Sequence, residues 1–173
     1  RREPVVVHRA RVARGAGGYT IYDDSHWALD GADLFYGDLL APSLPLLGYE
    51  NDGCLIQFRP DGGLASIPRL GVPKDIEIIG IAPTAYAEDL SRGHDPILAR
   101  EKLNQTAEIV YGEATDETIK RMLHGHAVMA AFSRGAGQVF NGGTTEWAHA
   151  LGARDPHIER ITLNVLRRFG ALT

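Results

Sequence analysis

Apolar positions along the chain fall into many short runs of period two and a few stretches of period three to four. The short β-branched or alternating runs predict strands at residues 5–12, 19–22, 46–49, 54–58, 76–81, 108–111, 127–132 and 138–140. Three stretches predict helices instead. Asp95 is a good N-cap and Pro96 suits the first helical position, opening a helix to about residue 104. Thr115-Asp116-Glu117 caps a second helix, in which Ile119, Met122 and Leu123 fall at i, i+3 and i+4 before Gly125. The third carries the fullest set of signals. Asp155 caps it, Pro156 takes its first position, and Glu159 lies in the first turn, where the helix dipole favours an anion. Ile158, Ile161, Val165, Leu166 and Phe169 form its apolar face, Arg167 and Arg168 close the last turn, and Gly170 follows as the stop. Such a helix packs on a sheet and needs no chemistry to explain it. Many strands followed by alternating helices predict an α/β or α+β layered fold with a largely buried sheet.

Composition narrows this picture. The 173 residues suffice for one domain, and the whole chain reads as one. At 44% hydrophobic and 23% charged it is globular in type, which excludes collagen, coiled coil and disorder. Lys and Arg number 18 against 22 acidic residues, so a non-specific nucleic-acid binder is not expected. No apolar run approaches the roughly 18 residues that span a bilayer, so no membrane partner is expected either. One cysteine, Cys54, excludes a disulfide framework and suits a cytoplasmic protein. The chain lacks an initiator Met and opens almost at once on the strand-like Pro4-Val5-Val6-Val7. We therefore expect a processed chain or the C-terminal part of a longer one.

Candidate chemistry is scattered. Ser133 in Ala131-Phe132-Ser133-Arg134-Gly135 resembles a nucleophile elbow, but a strand and not a helix follows it, which is hairpin chemistry. Cys54 reads as a small buried hydrophobe. Gly15-Ala16-Gly17-Gly18 lacks the third glycine of a dinucleotide fingerprint and leads into a strand. Asn141, Gly142, Gly143, Thr144 and Thr145 follow a strand and precede Glu146-Trp147-Ala148-His149. Such a turn can offer backbone N–H groups to an anion, or simply allow a sharp reversal at a strand end. His124 and His126 stand two apart, so on an extended segment both imidazoles face one side, although a third zinc ligand has no recognisable place. Tyr49-Glu50-Asn51-Asp52 and His26-Trp27 gather oxygen and nitrogen donors of the kind that suit a hard or borderline ion such as iron, or are simply ordinary strand-end polar residues.

Two segments carry a resemblance. Gly48-Tyr49-Glu50-Asn51-Asp52-Gly53, preceded by His26-Trp27 and the turn Gly37-Asp38, is similar to a segment of the large subunits of N,N-dimethylformamidase and their relatives. Gly137-Gln138-Val139-Phe140-Asn141-Gly142-Gly143-Thr144-Thr145-Glu146-Trp147, followed by Ile161-Thr162-Leu163-Asn164-Val165-Leu166-Arg167-Arg168-Phe169, resembles the family's closing signature. The resemblance implies a domain related to the class I glutamine-amidotransferase fold. It implies an iron-dependent amidohydrolase acting on formamides, with a large subunit paired to a small one. Two tyrosines and a glutamate would hold the iron, which acts as a Lewis acid on the amide carbonyl. The family's subunit is several times longer than this chain, which resembles its C-terminal end, so the ligands are expected upstream or in a partner. Within this chain, Tyr49 and Glu50 are the candidate metal donors, and Glu50 and His26 the candidate catalytic groups. Two other readings stay open: a non-catalytic binding or assembly module, and a small metallohydrolase using His124 and His126.

Overall fold

The computed structural model describes residues 7–8, 18–44, 46–47, 51–68, 71–85, 96–122 and 124–171. Its main sheet has four strands in the order β2 (Thr20–Ile21), β6 (Glu77–Ala85), β7 (His124–Arg134) and β8 (Gly137–Asn141). All three pairings in it are antiparallel. Two smaller antiparallel pairs accompany it, β1 (Val7–His8) with β3 (Asn51–Asp52), and β4 (Ile56–Phe58) with β5 (Leu64–Ser66). Four α-helices are described: α1 (Pro96–Tyr111), α2 (Asp116–Met122), α3 (Trp147–Gly152) and α4 (Pro156–Arg168). The architecture is mixed α/β, with antiparallel sheets and flanking helices. No helix among the described residues is long and apolar enough to cross a membrane.

The period-two pattern of β7 explains the layering. Ala127, Met129 and Ala131 point into the larger core, whereas Val128 and Ala130 point the other way, into a smaller one. On the larger side lie Ile158 and Ile161 of α4 and the 3₁₀ turn Trp27–Leu29, packed on Tyr19, Ile21 and Ile79. On the smaller side the β4–β5 hairpin covers the sheet through Leu64 and Ile56. The sheet edge at β2 is closed by an irregular segment: Ile21 N–H donates to Asp38 O (2.9 Å) and Leu40 N–H to Tyr19 O (2.8 Å). Pro83 sits within β6 at no cost to pairing with β2, because β2 reaches only as far as Ile81.

The terminal helix follows its sequence signals closely. Asp155 Oδ1 accepts from the N–H groups of His157 and Ile158 (3.1 and 3.0 Å), and Gly170 takes a left-handed φ of +70° after the last turn. Its expected apolar face is buried only in its first half: Ile158 and Ile161 are fully covered, whereas Leu166 and Phe169 are exposed. The predicted hairpin at Ser133–Gly137 is present, with β7 and β8 joined at Gly135, φ +60°.

Two expectations are corrected. Residues 108–111 form the end of α1 and not a strand, so that helix extends well past residue 104. Ile109-Val110-Tyr111 has strand-type side chains. Helical continuity places Leu103 and Ala107 against Ile119 of α2, and this packing overrides local preference. Leu46 and Leu47 are buried but form no strand. Leu46 N–H turns back to Leu44 O (2.8 Å), which breaks any ladder. Of the strand expected at 5–12, only Val7–His8 lies within the described residues.

Candidate functional site

The glycine-bearing loop after β8 organises the region. Asn141 Oδ1 accepts from Gly143 N–H (2.9 Å), and Thr144 Oγ1 accepts from Glu146 N–H (3.1 Å). Two N–H groups that an anion could have used are thus taken by the loop's own side chains. Gly143 requires its residue type, since its φ is +73° and a Cβ would lie 2.5 Å from Val128 O. Gly142 packs under the Trp147 ring, where a Cβ would stand 3.1 Å from the nearest ring atom.

The loop also grips another part of the chain. Thr144 Oγ1–H donates to Leu46 O (2.8 Å), Asn51 bridges Thr144, and Asp52 N–H donates to Gly143 O (3.0 Å). Asn141 Nδ2 donates to the Asp52 carboxylate (3.0 Å). The loop therefore holds the chain on both sides of residues 48–50. Tyr49 and Glu50 themselves lie outside the described residues. On the downstream side Gly53 fits flush on β7, where a Cβ would come within 1.9 Å of His126 O. Thr145, the last of the loop residues singled out in the sequence, also has an interaction of its own.

Two polar side chains whose isolation the sequence does not reveal lie here. Asn51 is 1% exposed, and neither its amide nitrogen nor its oxygen has a hydrogen-bond partner among the described residues. Tyr19 is fully buried with its hydroxyl likewise unpartnered, and the site of a Cβ on Gly143 would be 2.8 Å from it. Burial, and secondarily the negative charge of Asp52, pushes the Tyr19 phenol well above its ordinary value. Each unsatisfied buried group costs about 1–3 kcal/mol, so such groups are rarely idle. Neither was legible beforehand, because Tyr19 reads as strand and Asn51 as an ordinary strand-end polar residue.

His26 is placed elsewhere. It caps the 3₁₀ turn, with Nδ1 accepting from Ala28 N–H (3.1 Å), which leaves Nε2–H to donate to Glu77 Oε2 (3.2 Å). Both ring nitrogens are thereby engaged in holding the fold. Burial lowers its pKa, overriding the opposing pull of Glu77, Asp23 and Asp30. A chain of rings links it to the loop: Trp27 lies 4.9 Å from His26 and 6.2 Å from Phe140, and Phe140 lies 6.1 Å from Trp147.

The remaining candidates do not join this cluster. Ser133 lies exposed at the hairpin, with its N–H on Asp75 (2.9 Å). Cys54 is half-buried, and burial raises its thiol pKa. His124 and His126 occupy the start of β7, in register with Ala85 and Pro83. Among the described residues no three His, Cys, Asp or Glu side chains gather as a metal-holding group. At the loop the described oxygen donors are the Tyr19 phenol, whose ionisation burial disfavours, and the Asp52 carboxylate, which accepts from Asn141 Nδ2.

Comparison with known families matches residues 7–160 to N,N-dimethylformamidase beta subunit-like, C-terminal. No curated protein and no solved structure matches the chain. The match covers residues 48–53 and 137–147 of the resemblance, with the loop and the strand it grips, and ends at residue 160 within α4, before the 161–169 stretch. The chain belongs to the N,N-dimethylformamidase beta subunit-like, C-terminal family.

Proposed function

We propose that this chain is the C-terminal portion, or a separately encoded subunit, of an amide hydrolase that cleaves the C–N bond of small formamide-like amides. One observation carries the reading: in a member of this family, the 141–145 loop clasps the chain on both sides of Tyr49 and Glu50. The clasp fixes Leu46 on one side of that dipeptide and Asn51 and Asp52 on the other. A rigid frame of this kind is what positioned catalytic or ligating side chains require. The iron implied by the family we assign to donors outside the described residues, either Tyr49 and Glu50 or another segment. A small subunit completes the assembly, and a reducing, cytoplasmic setting suits the single cysteine. The amidotransferase-like layering implied by the resemblance would have a further segment continue the sheet beyond β8.

The test measures formate release from N,N-dimethylformamide by the assembled protein, together with its iron content. Glu50→Gln is expected to lower turnover by about 100-fold or more with folding intact. Near one iron per chain, lost in Tyr49→Phe and Glu50→Gln, puts the donors in this chain; near none in folded protein puts them in another segment. Unchanged turnover in both variants would instead support a non-catalytic assembly module. That second reading draws on His26 and the loop N–H groups, which are already spent on internal contacts.

A further inference from the structure

Residues 19–47 contain Asp23, Asp24, Asp30, Asp33 and Asp38 and not a single Lys or Arg, so this one stretch is more negative than the whole chain at -4. The same stretch turns large apolar side chains outward: Phe35 is 64% exposed, Tyr36 53% and Leu39 50%, and Phe58 of β4 adds another at 64%. These are not strays. Tyr22 meets Tyr36 edge to face at 5.5 Å and Phe58 at 5.8 Å, and Tyr36 Oη–H donates to Gly62 O (2.9 Å) in the β4–β5 turn. Tyr22, Tyr36 and Phe58 thereby form one aromatic platform, and Phe35 stands exposed next to Tyr36 in the same loop.

Carboxylates are built into its rim. Asp24 Oδ2 accepts from Tyr36 N–H (3.2 Å), and Asp38 Oδ2 accepts from Phe35 N–H (2.8 Å). Arg59 on the neighbouring hairpin does not neutralise them, because its guanidinium is bonded to Asp61 at 3.1 Å. Among the described residues no Lys or Arg pairs with Asp24 or Asp38, and exposed rings beside such carboxylates are what a guanidinium seeks: it stacks on the ring face while its N–H groups bond the carboxylate. The same charge repels nucleic acid, anionic lipid and a second copy of this face.

We propose that this acidic aromatic face is a docking surface for a basic, arginine-bearing segment of a protein partner. The proposal stands independently of the amide-hydrolase reading. The probe is a fluorescently labelled peptide alternating Arg with Leu and Trp, titrated with the whole chain and followed by anisotropy. Binding is expected, weakening several-fold between about 20 and about 200 mM salt. The same peptide with Glu in place of Arg is expected not to bind. Phe35→Ser combined with Phe58→Ser should weaken binding by about tenfold, consistent with losing cation–π contacts at two rings. Asp33→Asn gives a second variant with the fold undisturbed, because Asp33 has a φ of +50°, a conformation Asn tolerates. It should weaken binding about two- to threefold through charge alone. Absence of binding would overturn the proposal. So would equal binding by wild type and both variants, or a dimer in sedimentation that disappears in the Phe35/Phe58 variant.

Discussion

One segment, residues 18–47, presents two opposite sides, and they are governed by different rules. Its inner side, with Tyr19, Ile21, Ala28, Leu29, Leu34 and Leu40, is buried against Met129, Ile158 and Ile161. Its outer side leaves Phe35, Tyr36 and Leu39 half or more in water. Burying an aliphatic side chain is worth about 1.5–3 kcal/mol, so the inner side is explained by folding. The outer side gains little from folding and is held by turn hydrogen bonds to Asp24 and Asp38. Exposed apolar side chains that gain little from folding can gain from contact outside the fold, as proposed for this face.

The largest expected effect breaks the comparison directly. Ile161→Ala empties a fully buried site between α4 and the sheet and should cost about 2–5 kcal/mol in urea denaturation. Phe35→Ser, though it removes a larger side chain, should stay within about 0.5 kcal/mol. A similar loss for both would mean that the aromatic face belongs to the core and is no separate surface.

The gripping loop belongs with the inner side, and Gly143→Ala tests that. The new methyl would meet Val128 O at 2.5 Å in a left-handed conformation, for an expected loss of about 2–3 kcal/mol. Because the same residue anchors Asp52 N–H, hydrogen exchange at Asp52 should quicken alongside. A stable variant with unaltered exchange would show that the loop does not hold the 51–52 strand.

How much of this was legible depended on how local the cause was. The caps and stop of α4 could be read because Asp155, Pro156 and Gly170 act through neighbours within one turn. The β7–β8 hairpin was readable for the same reason, from Gly135 and Gly137. The end of α1 was misread, since Ile109 and Tyr111 favour strands alone, and the packing of Ala107 on Ile119 decides otherwise. The loop at 141–145 was singled out for its glycines, but the sequence could not show that its N–H groups bond Asn141 and Thr144. Tyr19 drew no notice, and Asn51 was noticed only as one of several donors, not as a buried group without a partner. Their isolation arises from what the fold packs around them, a property no local pattern carries.

A smaller effect follows from His26, a titratable group on the inner side. Its pKa is lowered by burial, so as pH falls the unfolded chain takes up the proton first, near the ordinary value of about 6.5. The unfolded state then binds more protons, and stability declines as pH drops through that value, levelling off below the folded pKa. Asn at this position keeps an acceptor for Ala28 N–H and has nothing to titrate. His26→Asn should therefore flatten the fall in melting temperature between about pH 7.5 and about pH 5.5. An unchanged slope would assign the acid sensitivity to another histidine and leave Nε2 of His26 free of its structural duty.

The smallest effect is the most discriminating for the candidate site. Removing a hydrogen-bonded buried hydroxyl normally costs about 0.5–1.5 kcal/mol, whereas removing an unsatisfied one is neutral or favourable. Tyr19→Phe keeps the ring against Gly143 and deletes only the unpartnered oxygen, which also lies within reach of the Asp52 charge. The isolated chain should gain up to about 1 kcal/mol. The assembled protein should lose activity at the same time if the phenol serves the site, since fold and function would then pull on this one atom in opposite directions. A stability loss would show that the hydroxyl has a partner in the native chain. A stability gain with activity unchanged would reduce Tyr19 to core packing and leave Asn51 as the buried polar group to pursue.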